Sequence, residues 1–202
     1  MPVFKDISCS IQIGSSTLHE YGDVGDDQSS QSPVTKVVYI EAQESATFSI
    51  FCEVLPSYVH DATAGNRVSF RVYIDGRAHC RRSINVKEHN HVCELQGSYG
   101  TDSSGIEFVR PFQFAGVLIV EDHESDVRVD PSLLATMGEI SVYVVRTRSV
   151  PGTSRNKPKK PHAAPEIRSI EKVNEKALKG RDLTHVTKCA PQPYMPEAPA
   201  LK

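Results

Sequence analysis

The stretch Val68–Gly76, which reads VSFRVYIDG, decides the fold. Its apolar side chains stand at every second position, 68, 70, 72 and 74, and successive side chains of a strand point to opposite faces. This period of two predicts a strand with one buried face. Asp75-Gly76 ends the run, and Asp-Gly supplies the positive φ angles that a type I′ hairpin turn requires. The stretch therefore predicts an antiparallel hairpin.

Similar β-rich runs recur along most of the chain, several with the same alternation. Antiparallel sheets with one solvated face produce such alternation, whereas parallel sheets tend towards continuous apolar runs. One short helix is indicated, with Asp130 as its N-cap, Pro131 at its first position and Gly138 at its end. The sequence predicts a mainly β protein, an antiparallel two-layer β-sandwich. A jelly roll is one strand arrangement that fits this pattern. Further strands are predicted within residues 7–13, 34–41, 48–54, 84–95, 107–114, 117–120 and 140–144.

The charge of the chain is divided along its length. Residues 1–147 carry 11 Lys or Arg against 20 Asp or Glu, whereas residues 148–202 carry 12 against 5 and hold eight of the 13 prolines. A composition shift of this kind marks a domain boundary. The predicted order is an acidic β-sandwich at 1–147, a basic Pro-rich linker at 148–165, a short amphipathic helix and following segment at 166–188, and a disordered Pro-rich tail at 189–202.

The C-terminal helix is predicted from spacing. Pro165 stands at a plausible start, Ile167, Ile170 and Val173 lie near helical spacing, and Gly180 supplies a stop. The helix either docks on the sandwich or anchors a partner in a groove. Docking is the preferred interpretation, because an isolated helix of about 15 residues is marginal in water.

Several short motifs stand in a fixed order along the chain: LHEY at 18–21, YIE at 39–41, YIDG at 73–76, FQF at 112–114, GEI at 138–140, and EKALKG at 175–180 with His185. In that order they resemble a family of uncharacterised fungal proteins that share a domain of unknown function. The similarity spans roughly residues 7–188. It implies a β-rich domain followed by the EKALKG segment, and it brings no activity, cofactor or catalytic residue.

A metal site is one hypothesis for the stretch around His89, His91 and Cys93. In an extended strand these three side chains project from one face, and imidazole and thiolate groups suit zinc or copper. Neighbouring side chains on one strand face are roughly 6–7 Å apart, however, so they converge poorly on a single ion. A polar strand face with one buried cysteine is the favoured interpretation, and we predict no cofactor.

Two further stretches are candidates for binding. Residues 97–105 are predicted as a loop, and Ser98 and Tyr99 within it would contact a small ligand or a carbohydrate if the loop served recognition. Lys157, Lys159 and Lys160 form a basic run that resembles a nuclear-import signal and could contact nucleic acid phosphates. A plain hairpin loop and a solvated linker are the simpler interpretations of the two stretches.

The sequence contains no Gly-x-Ser-x-Gly elbow, His-Glu-x-x-His pair, phosphate loop or dinucleotide-binding glycine pattern, so no enzyme is predicted. A triad of residues distant in sequence stays open. Five cysteines without a CxxC pair, and no N-terminal apolar stretch of signal-peptide length, favour an intracellular protein of the cytoplasm or nucleus.

The leading hypothesis for function is a non-catalytic protein-interaction module whose partner is another protein. Nucleic acid is a less supported partner, and no membrane partner is expected, since no stretch approaches the ~20 apolar residues of a membrane span. The alternatives are a small-ligand or carbohydrate-binding sandwich and, third, a metal-dependent enzyme at His89, His91 and Cys93. The oligomeric state is left open.

Overall fold

A computed structural model of the chain describes residues 3–4, 6–22, 35–59, 65–87, 91–120, 131–148, 172–174 and 185–189, and these are mostly β-strands. The predicted fold class, a mainly β chain of antiparallel sheets in a two-layer sandwich with a short internal helix, is confirmed. The strands are β1 (Val3–Phe4), β2 (Ile7–Ile13), β3 (Ser16–Thr17), β4 (Glu20–Gly22), β5 (Val38–Ile40), β6 (Thr47–Val54), β7 (Arg67–Ile74), β8 (Arg77–Asn85), β9 (Val92–Leu95), β10 (Gly97–Thr101), β11 (Glu107–Gly116), β12 (Leu118–Val120), β13 (Ile140–Thr147), β14 (Lys172–Asn174) and β15 (His185–Cys189), and the helix is α1 (Pro131–Thr136).

The larger sheet is built around β6. Its main path runs β1-β2-β6-β11-β10, with β3 added beside β2, β9 beside β6 and β15 beside β11. The chain from β9 to β10 changes partner at Gln96, because β9 pairs with β6 and β10 pairs with β11. A separate ribbon pairs β4 with β5, and β12 pairs with β14 in parallel.

The smaller sheet has the order β13-β7-β8 and contains the predicted hairpin. Asp75 and Gly76 have φ angles of 49° and 73°, the two positive values that the Asp-Gly signal predicted. The backbone N–H of Gly138, just beyond α1, donates to Asp75 Oδ1 at 2.7 Å and ties this turn to the end of the helix. Gly138 itself has a φ of 77°, as a helix-ending glycine requires.

The two sheets pack face to face around one apolar core. Ile50, Leu95 and Phe112 of the larger sheet and Phe70 and Val72 of the smaller sheet are fully buried within it. The alternation of apolar and polar positions that directs Phe70 and Val72 inwards is regular in β7, whereas Phe51 interrupts it in β6 and Val92 interrupts it in β9. Phe112 also stacks on Phe48, with the ring centroids 5.6 Å apart.

The predicted C-terminal helix is wrong at Lys172–Asn174, which form strand β14 beside β12. Pairing with β12 satisfies the backbone hydrogen-bonding groups of this segment. A short isolated helix would also satisfy some of them, but it is only marginally stable in water. Further on, β15 adds to the larger sheet beside β11. Cys189, the first residue of the predicted disordered tail at 189–202, belongs to β15, so the tail prediction is wrong at that residue. The rest of the tail, the rest of the predicted helix and the linker after Arg148 lie outside the described residues, so the boundary at residue 147 stays a prediction. The part of the chain that is described contains no helix long and apolar enough to cross a membrane.

Candidate functional site

The outward face of the smaller sheet carries an unusual set of side chains for an acidic body. Along β7, the residues Arg67, Ser69, Arg71 and Tyr73 alternate with the buried core positions and therefore point away from the other sheet. Their directly opposite partners on β8 and β13 share this face. We call it the basic face, and it consists of Arg67, Ser69, Arg71, Tyr73, Ala78, Arg81, Ser83, Asn85, Ser141, Tyr143, Val145 and Thr147.

The centre of the basic face is a row of three residues across the sheet. Arg71 of β7 lies opposite Tyr143 of β13 on one side and opposite Arg81 of β8 on the other. The Tyr143 ring meets the Tyr73 ring edge to face, with the centroids 5.0 Å apart, and Tyr143 is 57% exposed. Two tyrosines and two guanidinium groups are thus side by side on a surface of the sheet.

The charges of the basic face are not balanced within it. None of its twelve positions is a carboxylate, and like charges placed directly opposite, as in Arg71 and Arg81, destabilise a sheet. Arg81 donates from Nε to Ser69 Oγ at 2.9 Å, which fixes the guanidinium on the face. Arg71 Nε is buried without a hydrogen-bond partner. At the edge near the hairpin turn, the Ser141 hydroxyl donates to the Glu139 carboxylate. The positive charge of the face is therefore not neutralised by any carboxylate among its own positions.

A β-bulge at His79 produces this arrangement. Val72 pairs with Cys80 but Tyr73 pairs with Ala78, so His79 is one extra residue on β8. Because a shift of one residue turns a strand over, the bulge places Arg81 opposite Arg71 on the outward face and Ile84 opposite Val68 in the core. A hairpin paired regularly from the Asp75-Gly76 turn would place both β8 residues on the other side.

The bulge also turns His79 inwards. Its side chain is 7% exposed, and its Nδ1 lies 3.1 Å from Ser98 Oγ. Burial is the main cause that lowers the pKa of His79 to about 4, and the positive charge of Arg77 lowers it further. The His79–Ser98 pair resembles a nucleophilic dyad in its atoms. Ser98 is fully buried, however, so a substrate cannot reach its hydroxyl. The pair holds the bulge against the larger sheet.

The predicted loop at residues 97–105 is a strand for half its length. Gly97–Thr101 form β10, and the turn that follows is closed by Asp102 Oδ1, which accepts from the backbone N–H groups of Ser104 and Ile106. Tyr99 is half-buried under the Arg82 guanidinium, which lies 4.7 Å from the ring centroid. Of the two predicted binding residues here, Tyr99 alone reaches the surface.

The predicted metal-binding residues are described only in part. His89 lies outside the described residues, His91 is half-buried with its Nδ1 unpartnered, and Cys93 lies on β9 opposite Cys52. Within the described ranges, no cluster of three or more His, Cys, Asp or Glu side chains has the geometry of a metal site. The complete set with His89 stays a prediction. The basic run Lys157, Lys159 and Lys160 also lies outside the described residues.

Comparisons with other proteins bear on the family of the chain. Curated proteins and solved structures give no match. A family model matches residues 6–201, which include every motif that carried the sequence resemblance. Since this match covers nearly the whole sequence, the chain belongs to the family described as Domain of unknown function (DUF7918).

Proposed function

We propose that this protein is a non-catalytic interaction module that binds an acidic segment of another protein on the basic face. The observation that supports this function is the central row, in which Tyr143, Arg71 and Arg81 lie side by side without a carboxylate among them. Arginine is the preferred residue for such recognition, because its planar guanidinium donates two parallel hydrogen bonds to one carboxylate.

The kinds of side chain on the basic face suit a protein partner. Tyrosine and arginine dominate the binding energy of protein interfaces, where they anchor in desolvated positions. Val145, which is 36% exposed beside the same row, adds an apolar contact. A short acidic segment with one or two apolar side chains would therefore find a complementary surface here.

A short acidic segment fits better than a nucleic acid. Single-stranded nucleic acid binding uses a positively charged groove that follows several successive phosphates. The basic face offers only Arg67, Arg71 and Arg81, and the surrounding body, residues 1–147, carries a net charge of −9. A long polyanion would extend past the face and meet this negative field, whereas a short segment would not.

The test is a binding titration with two probes that carry the same number of negative groups. The probes are a fluorescein-labelled octapeptide of six glutamates and two leucines and a fluorescein-labelled oligonucleotide with six phosphates. We expect the full chain to bind the peptide more tightly, and Arg71→Gln and Arg81→Gln each to weaken that binding about tenfold, as expected for the loss of a charge-assisted hydrogen bond. Lys36→Gln is the matched control, since it removes one exposed positive charge next to β5.

The outcomes separate the alternatives. Tighter binding of the oligonucleotide through Arg71 would replace a protein partner with a nucleic acid. Equal weakening by Lys36→Gln would mean that net charge alone attracts the peptide, and the proposed face would then be wrong. The carbohydrate alternative depended on residues 97–105, and the burial of Ser98 gives it no support.

The compartment and origin belong to the same proposal. We place the protein inside the cell, in the cytoplasm or the nucleus, on the strength of its unpaired cysteine pattern. The fungal distribution of its family rests on the sequence resemblance.

A further inference from the structure

Three cysteines from distant parts of the sequence form a row across the larger sheet. Cys9 of β2 lies directly opposite Cys52 of β6, and Cys52 lies directly opposite Cys93 of β9. The three side chains share the core-facing side of the sheet, where Cys52 is fully buried and the two flanking thiols are half-buried. The Sγ atoms of Cys9 and Cys52 are 3.7 Å apart. We call this set the thiol row.

The strand register gives both neighbouring pairs a spacing that a disulfide can span. Leu55 N–H donates to Asp6 O, which makes residues 9 and 52, three positions further along the ladder, a non-hydrogen-bonded pair. Val54 N–H donates to His91 O, which makes residues 52 and 93 a hydrogen-bonded pair. Such pairs have Cα separations of about 4.5 and about 5.5 Å, and disulfides span about 4.4–6.8 Å. Cys52 can therefore bond to either neighbour, but only to one at a time.

The three thiols differ in their surroundings. Hydrogen bonds with Cys9 and Cys93, together with burial, raise the pKa of Cys52, so it stays a thiol. The hydrogen bond from Cys52 and the positive charge of Arg82 lower the pKa of Cys93. Since the thiolate is the reactive form of cysteine, the half-buried Cys93 is the first thiol that an oxidant meets in reactive form.

We propose that the thiol row is a peroxide-sensitive disulfide site in which Cys93 reacts first and Cys52 completes the bond. The Cys93 thiolate attacks a hydroperoxide, so that an S–O bond forms, the O–O bond breaks and the released oxide takes up a proton. Cys93 is then a sulfenic acid. The Cys52 thiol passes its proton to the Cys93 hydroxyl as the Cys52 sulfur attacks Cys93 Sγ, so that the S–S bond forms, the S–O bond breaks and water leaves. Two thiols and hydrogen peroxide thus give one disulfide and two waters.

Cys9 extends the site by one step. As a thiolate it attacks Cys52 Sγ from the side opposite Cys93, the Cys9–Cys52 bond forms, and Cys93 leaves as a thiolate. No net oxidation occurs in this exchange. The position of Cys52 between its two neighbours makes it a member of the disulfide before and after the exchange.

The site is tested on the reduced full chain with hydrogen peroxide, followed by alkylation and peptide mapping by mass spectrometry. We expect one intramolecular disulfide that contains Cys52 and the loss of two of the five thiols. Cys93→Ser is expected to slow disulfide formation about tenfold, because the thiolate that starts the reaction is gone. Cys9→Ser is expected to leave Cys52–Cys93 as the sole product.

Two further cysteine variants serve as controls. Cys80→Ser removes another half-buried thiol, on β8, and is expected to leave the rate unchanged. Cys52→Ala is expected to leave a Cys93 sulfenic acid that dimedone traps, and circular dichroism checks that this core variant is folded. A disulfide without Cys52, bonds only between molecules, or an unchanged rate in Cys93→Ser would each overturn the proposal, and the last of these does not depend on a core substitution.

Discussion

Replacing Asp75 with asparagine is expected to stabilise the protein at neutral pH and to leave its stability unchanged in acid. Burial of the Asp75 carboxyl raises its pKa from 3.8 to about 6, in spite of the opposing effect of the hydrogen bond from the Gly138 N–H. Between these two pH values the folded state holds the proton more tightly than the unfolded state does. The free energy of unfolding therefore falls as pH rises through that window.

The size of the effect follows from the pKa difference. A gap between 3.8 and about 6 corresponds to about 3 kcal/mol, at about 1.4 kcal/mol per pKa unit. Asparagine carries no charge at either pH, it keeps a side-chain oxygen for the Gly138 N–H, and it tolerates the φ of 49° at this position. Asp75→Asn should then exceed the wild type by up to about 3 kcal/mol at pH 7.5 and equal it near pH 3.5.

Urea unfolding at a series of pH values, followed by circular dichroism, measures this difference directly. The nearby His79 titrates in an overlapping range, but both proteins contain it, so its contribution cancels in the comparison. If the difference in free energy of unfolding between Asp75→Asn and the wild type is no larger at pH 7.5 than at pH 3.5, burial does not destabilise the ionised Asp75 carboxylate, and the prediction is wrong.

Two further variants test the surroundings of the bulge. Burial lowers the pKa of His79 to about 4, so its contribution to stability is lost as pH falls from 6.5 towards 4. Asp75 contributes in the opposite direction in both proteins and cancels, so in urea titrations the wild type should lose stability relative to His79→Gln between pH 7 and pH 4.5, and a difference that does not change with pH would contradict this. Gly97→Ala places a Cβ in steric clash with the Arg110 carbonyl oxygen. The substitution should cost about 3 kcal/mol and lower the melting temperature, and a wild-type melting curve would show that the strands can move apart.

Much of the fold could be predicted because it depends on local patterns. The alternation in residues 7–13 and 68–74 and the Asp75-Gly76 turn each lie within a few neighbouring residues, and each corresponds to the observed strand or turn. The strand at Lys172–Asn174 was missed, and a helix predicted in its place, because its partner strand β12 lies about fifty residues earlier in the sequence. Spacing within a segment carries no information about such a partner.

The candidate sites could not be predicted from the sequence either, because they depend on the pairing of strands that are distant in sequence. Cys9, Cys52 and Cys93 have no motif spacing, and only the register of β2, β6 and β9 brings them into one row. The arginines of the basic face lie on alternating positions of β7, which the sequence does show, but the side on which Arg81 falls depends on the bulge. Bulges arise from an unpaired residue in a ladder, which no local composition signals.

The bulge at His79 makes the length of β8 as important as its composition. Deleting this one residue would restore regular pairing from the Asp75-Gly76 turn and exchange the sides of every residue beyond it. The former Arg81 would then be directed at the core and Ile84 at water, although no arginine had been lost. Among relatives of this chain, a single-residue gap in β8 would therefore separate proteins that have the basic face from proteins that lack it more reliably than any count of their basic residues.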